Sequence, residues 1–62
     1  MNLREIREVM SWDQEDAAFL LGLHQRTISR IEAGHRVELT PDQEVKLRRM
    51  RAMAERRQPV SA

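Results

Sequence analysis

Among the residues between Gly22 and Gly34 are Gln25, Arg26, Ser29 and Arg30, all polar or charged. They recur at i, i+1, i+4 and i+5, a spacing that on a helix gathers them on one side across two turns. Their chemistry is that of hydrogen-bonded edge recognition. A glutamine amide sets a donor beside an acceptor and pairs with an adenine edge, and an arginine fork grips a guanine edge through two hydrogen bonds. Each good two-bond contact of this kind discriminates by roughly 1–3 kcal/mol. Ile28 and Ile31, three apart and interleaved with the polar set, point the other way and tie the segment to a core. Glu32 is read as a structural ion pair or hydrogen bond near the end of the segment, not as a base contact.

Other chemistries find no residues to carry them. The chain has no cysteine, which removes disulfides, thiolate nucleophiles and the common structural zinc sites. His24 and His35 have no Asp or Glu at an evident ligand spacing, so no metal is expected. No catalytic triad, phosphate loop or carboxylate pair stands out, and no enzyme activity, cofactor or small-molecule ligand is expected. No apolar run approaches the roughly eighteen residues of a membrane span, and Asn2–Val9 is charged where a secretory signal is apolar. A cytoplasmic protein is the expectation. The arginine-rich stretch from Arg48 to Arg57 has a Met- and Ala-rich apolar side without aromatics, a poor match to a membrane-surface helix.

The elements that must position the recognition set are helices. Asn2 can cap a first helix, with Glu5 at the reciprocal position and Leu3, Ile6, Val9 and Met10 on one apolar side. Ser11-Trp12-Asp13 breaks the pattern, with Trp12 expected in the core. Asp13 caps a second helix whose first turn, Gln14, Glu15 and Asp16, puts acids at the positive end of the dipole. Ala17 to Leu21 are expected to make that helix largely buried, and Gly22 ends it in a left-handed conformation. A third helix runs from Gln25 to about Ala33, with His24 at its cap position and Gly34 past its end. His35–Leu39 is a linker. Thr40-Pro41-Asp42-Gln43 is a strong start for a fourth helix reaching about Arg57. Leu47, Met50, Met53 and Ala54 form its apolar stripe. The fold class expected is all-α: one small domain over residues 1–58 and a flexible tail over 59–62.

A domain of 62 residues buries only about 60% of its unfolded surface, and dimerisation is a natural way to enlarge the core. Net charge is only +1, but its distribution is uneven. Arg4 and Arg7 stand against Glu5, Glu8, Asp13, Glu15 and Asp16 in the first 23 residues, whereas bases outnumber acids afterwards. Such asymmetry suits a DNA-facing side as well as it suits an ordinary solvated surface.

The stretch QEDAAFLLGLHQRTISRIEAG, residues 14–34, resembles the helix-turn-helix of the lambda-repressor and Cro superfamily, the XRE-type regulators. The Gln at the start of its first helix, the small residue Ala18 four before Gly22, the run Thr27-Ile28-Ser29-Arg30-Ile31-Glu32 and the closing Gly34 carry the likeness over about residues 3–36. The resemblance implies two short helices joined at a glycine turn, the second lying in the major groove of double-stranded DNA. It implies base-edge contacts from Gln25, Arg26, Ser29 and Arg30. It implies phosphate contacts from Gln14, which also braces the first recognition side chain, and from Thr27 and Arg36, with His24 and His35 beside them. His24 departs from the small capping residue that is usual and is expected to touch phosphate or to cap through a ring nitrogen. Ala33 stands where Asn is frequent. Family domains commonly have five helices, whereas four are legible here with a fifth as the alternative, so the fourth helix is expected to complete the core and to form a homodimer seam through Leu47, Met50, Met53 and Ala54. The function implied is a transcriptional regulator, a repressor or autoregulator that binds an inverted-repeat operator as a homodimer. The alternative is a protein-interaction module, an antirepressor or antitoxin whose ligand is a protein partner.

Overall fold

The computed structural model describes residues 1–57 of the chain, so the expected tail and position 58 lie outside the described residues. It contains four helices in order: α1 (Leu3–Met10), α2 (Gln14–Leu21), α3 (Gln25–Glu32) and α4 (Pro41–Arg57). No fifth helix and no strand occur among the described residues.

Three of the four starts are closed by reciprocal capping. The Asn2 side chain accepts from the Glu5 amide at 2.8 Å while the Glu5 carboxylate accepts from the Asn2 amide at 3.0 Å. Asp13 and Asp16 make the same exchange at 2.8 and 3.1 Å, and Thr40 and Gln43 make it at 3.2 and 3.0 Å. Each exchange satisfies two amides that the helix itself cannot. Pro41 stands at the first position of α4, where its missing N–H costs nothing.

The first three helices end alike. Ser11, Gly22 and Gly34 take positive φ of 59°, 71° and 92°. The next amide then reaches back to a carbonyl of the last helical turn: Trp12 to Arg7 at 2.9 Å, Leu23 to Ala18 at 2.9 Å and His35 to Arg30 at 3.0 Å. Two of these turns drop an apolar residue, Trp12 and Leu23, onto the core. Three residues therefore separate α1 from α2 and three separate α2 from α3, and α2 packs on α3.

The core consists of Leu3, Ile6, Ala17, Ala18, Leu21, Ile28, Met50 and Ala54. Helix α1 packs mainly on α4, α2 packs mainly on α3, and α4 also touches α2. Ala17 and Ala18 keep the surface of α2 low enough for neighbours to approach. Helix α2 is less buried than the apolar run Ala17–Leu21 leads one to expect: Phe19 is 86% exposed and Leu20 is 40% exposed. Five successive residues sweep more than a full turn, and only the arc holding Ala17, Ala18 and Leu21 meets α3 and α4.

Helix α4 supplies Met50 and Ala54 to this core, one turn apart and 5% and 0% exposed. Gln43 ties its start to the α2–α3 turn by donating to the Gly22 carbonyl at 3.4 Å, and Arg51 donates to the Met1 carbonyl at 3.1 Å. The fourth helix is thus anchored at both halves.

Candidate nucleic-acid interface

Helix α3 is held by one face and displays the other. Ile28 is fully buried and Ile31 is half-buried against the core, whereas Gln25, Arg26, Ser29 and Arg30 are all exposed. The four side chains named from spacing therefore share one solvent-facing side. Thr27 is half-buried at its edge. With His24, Gln25 and Arg26 it lines an open hollow at the N-terminal end of the helix.

His24 stands at the N-cap with extended backbone but makes no side-chain cap hydrogen bond. Of the two roles expected for it, ring capping is therefore absent. Helix α3 also has no acid in its first turn. Its amide end is left as a positive pole beside Arg26, unlike the acid-capped starts of α1 and α2. His35 and Arg36 follow Gly34 and are exposed.

The carboxylate of α3 is taken out of this face. Glu32 receives two hydrogen bonds from Arg7 of α1, Nε to Oε2 at 2.6 Å and Nη2 to Oε1 at 2.9 Å. The two side chains are 17% and 8% exposed, and Arg7 also donates to the Trp12 carbonyl at 3.1 Å. The structural role expected of Glu32 is thus seen, with a partner 25 residues away that no local pattern announces. The Arg7 hydrogen bonds, outweighing the cost of burial, hold the Glu32 carboxyl below its ordinary range. The same bonds raise Arg7 above its ordinary value.

Glu32 also orients the side chain that braces Gln25. Its ionised carboxylate can only accept, so Gln14 turns its amide NH2 toward it and donates at 3.3 Å. That leaves the Gln14 oxygen facing out, where it accepts from Gln25 Nε2 at 3.5 Å. Gln25 keeps one N–H and its carbonyl oxygen unused, the donor–acceptor pair that an adenine edge requires. A chain of polar contacts thus runs from Arg7 through Glu32 and Gln14 to the first exposed residue of α3.

Among the described residues no cluster of His, Asp or Glu stands close enough to hold a metal ion, and no helix is long and apolar enough to cross a membrane.

Two short helices locked at a glycine turn, the second presenting a polar and basic side, define a helix-turn-helix protein. A family model described as Helix-turn-helix matches residues 3–49, from the start of α1 well into α4. The chain belongs to this family, the lambda-repressor-like or XRE-type helix-turn-helix proteins, and is a DNA-binding regulator of that class. The family is regulatory, not enzymatic. The matched segment extends past residue 36, where the legible resemblance stops, and takes in the linker and half of α4. No curated protein and no solved structure matches the chain.

Proposed function

We propose that the protein is a sequence-specific transcriptional repressor that controls its own gene or operon in the cytoplasm and binds an inverted-repeat operator as a homodimer. The observation that carries this reading is the outward side of α3: Gln25, Arg26, Ser29 and Arg30 exposed together, with Gln25 braced by Gln14. Gln25, Arg26, Ser29 and Arg30 would read base edges. Gln14, His24, Thr27, His35 and Arg36 would take phosphates, which fix register and supply most of the salt-dependent affinity. In a symmetric dimer two such helices enter successive major grooves about 34 Å apart. A bound dimer represses by occupying the promoter, which needs no further domain.

The dimer seam expected on α4 is narrowed by the monomer core. Met50 and Ala54 are buried there, and only Leu47, half-buried, and Met53, 46% exposed, retain free apolar surface on that stripe. A seam built on Met50 and Ala54 would require the monomer to open.

Selection from a pool of randomised duplexes tests the reading without assuming any operator sequence. The expected product is an inverted repeat whose half-sites lie one helical turn apart, protected symmetrically in a footprint. Recovery of no common sequence after repeated rounds, with equal binding to every duplex, would overturn it.

A further inference from the structure

Phe19 is the chain's one phenylalanine, and it stands almost fully in solvent. It is not isolated. With Trp12, Asp16 and Leu20 it lines one shallow hollow. Trp12 and Leu20 also line a second, with Lys46, Arg49, Met50 and Met53. The shared pair makes the two hollows one apolar face spanning α2 and α4. No residue of α3 lines either hollow, so this face can be covered while α3 occupies a groove. Apolar side chains gathered in this way mark an interaction surface.

The two rims of the face carry opposite charge. Asp16 lies at the Phe19 edge, and Lys46 and Arg49 lie at the Met53 edge. Lys46 is already paired with Asp42 at 3.2 Å, whereas Arg49 has no acidic partner among the described residues. A twofold axis through the shared Trp12–Leu20 centre carries the acidic rim of one copy onto the basic rim of the other. We infer that this face is the homodimer interface, with Trp12 and Leu20 at its centre, Phe19 and Met53 on either side of them and two symmetric Asp16–Arg49 pairs at its rim. The inference rests on the dimeric reading above and gives it a surface, one that involves α2 as much as α4. A foreign partner would have to supply the apolar centre and both charges in matching order, whereas a second copy has them by symmetry.

Sedimentation equilibrium over a range of concentrations tests it. The wild-type chain is expected to approach twice its own mass. Phe19→Ser leaves the core untouched and is expected to weaken self-association at least about tenfold with unchanged far-ultraviolet circular dichroism. Arg49→Asp and Asp16→Arg are each expected to weaken it alone, and an equimolar mixture of the two is expected to restore the dimer, because the mixed dimer keeps one native Asp16–Arg49 pair and reverses both charges of the other, so that each rim again joins opposite charges. Asp16→Arg gives up one capping bond, so Phe19→Ser provides the test that does not depend on it. A dimer unweakened by Phe19→Ser overturns the face while leaving the dimeric reading standing. Wild type that stays monomeric throughout overturns both. A mixture no tighter than its components overturns the twofold pairing. Half-site binding by the Phe19→Ser chain is read alongside, since its retention keeps the DNA-binding reading separate from all three results.

Discussion

Arg30 is exposed on a helix that Ile28 fixes from behind, so its substitution separates binding from folding. Arg30→Ala is expected to leave the melting curve within error of wild type and to cut affinity for the selected operator at least about tenfold, within the range for one two-bond base contact. Fluorescence anisotropy against the operator and a mismatched duplex checks it, and unchanged operator affinity removes Arg30 from the interface. Arg36 belongs to a different class of contact. Arg36→Ala is expected to weaken operator and unrelated DNA by the same factor and to reduce the salt slope by about 1, as the loss of one phosphate contact does. Gln14 is the subtler case, because it touches both Glu32 and Gln25. Gln14→Ala is expected to relax discrimination at the base that Gln25 reads and to cost about 1.5 kcal/mol of stability, the lower end for a hydrogen bond to a charged group, because it also removes a donor to the Glu32 carboxylate. Discrimination that survives in this variant would mean that Gln25 needs no brace.

The elements are set by their ends more than by their interiors, and Ser11 shows this. It takes the left-handed conformation that Gly22 and Gly34 take in the equivalent turns, but it carries a Cβ there. Left-handed backbone costs a non-glycine residue roughly 1–2 kcal/mol, part of which a glycine returns as unfolded-state entropy. Ser11→Gly is therefore expected to stabilise the protein by about 0.5–1 kcal/mol, read from the urea midpoint. A loss of stability would show that the serine hydroxyl matters more than its φ. Capping made the starts at Asn2, Asp13 and Thr40 legible from sequence, and glycine made the ends of α2 and α3 legible, because caps and left-handed turns depend on residues adjacent in the chain. The exposed set on α3 was legible for a similar reason, since helical spacing is local. Three features were not. The Arg7–Glu32 pair joins α1 to α3 across 25 residues, and nothing at either position marks the other. The exposure of Phe19 and Leu20 depends on which arc of α2 its neighbours use, which an unbroken apolar run conceals. Met50 and Ala54 were likewise divided from Met53 only once α1 and α2 were seen to cover them.

For the molecule as a whole the Arg7–Glu32 pair is the main polar tie between α1 and the helix proposed to read DNA, and it makes stability depend on pH in a defined direction. Glu32 binds its proton less readily when folded than when unfolded, because Arg7 and Gln14 donate to its ionised form. Its contribution is therefore fully present above the unfolded glutamate value of about 4.3 and is lost as pH falls from there through the lowered folded value. Arg7 is raised instead, so its share is present below the ordinary arginine range and is lost only in strong alkali, outside the acid window. Urea unfolding followed between about pH 6 and about pH 3 is expected to show wild type losing more stability than Glu32→Gln, whose side chain cannot ionise. At neutral pH the order of cost is the reverse of what charge count alone would give. Arg7→Ala leaves a carboxylate buried without its partner and is expected to cost about 2–3 kcal/mol, whereas the double change Arg7→Met with Glu32→Leu removes both charges and is expected to cost less. Parallel pH profiles for wild type and Glu32→Gln, or a double variant weaker than Arg7→Ala, would show that the pair is not what joins α1 to α3.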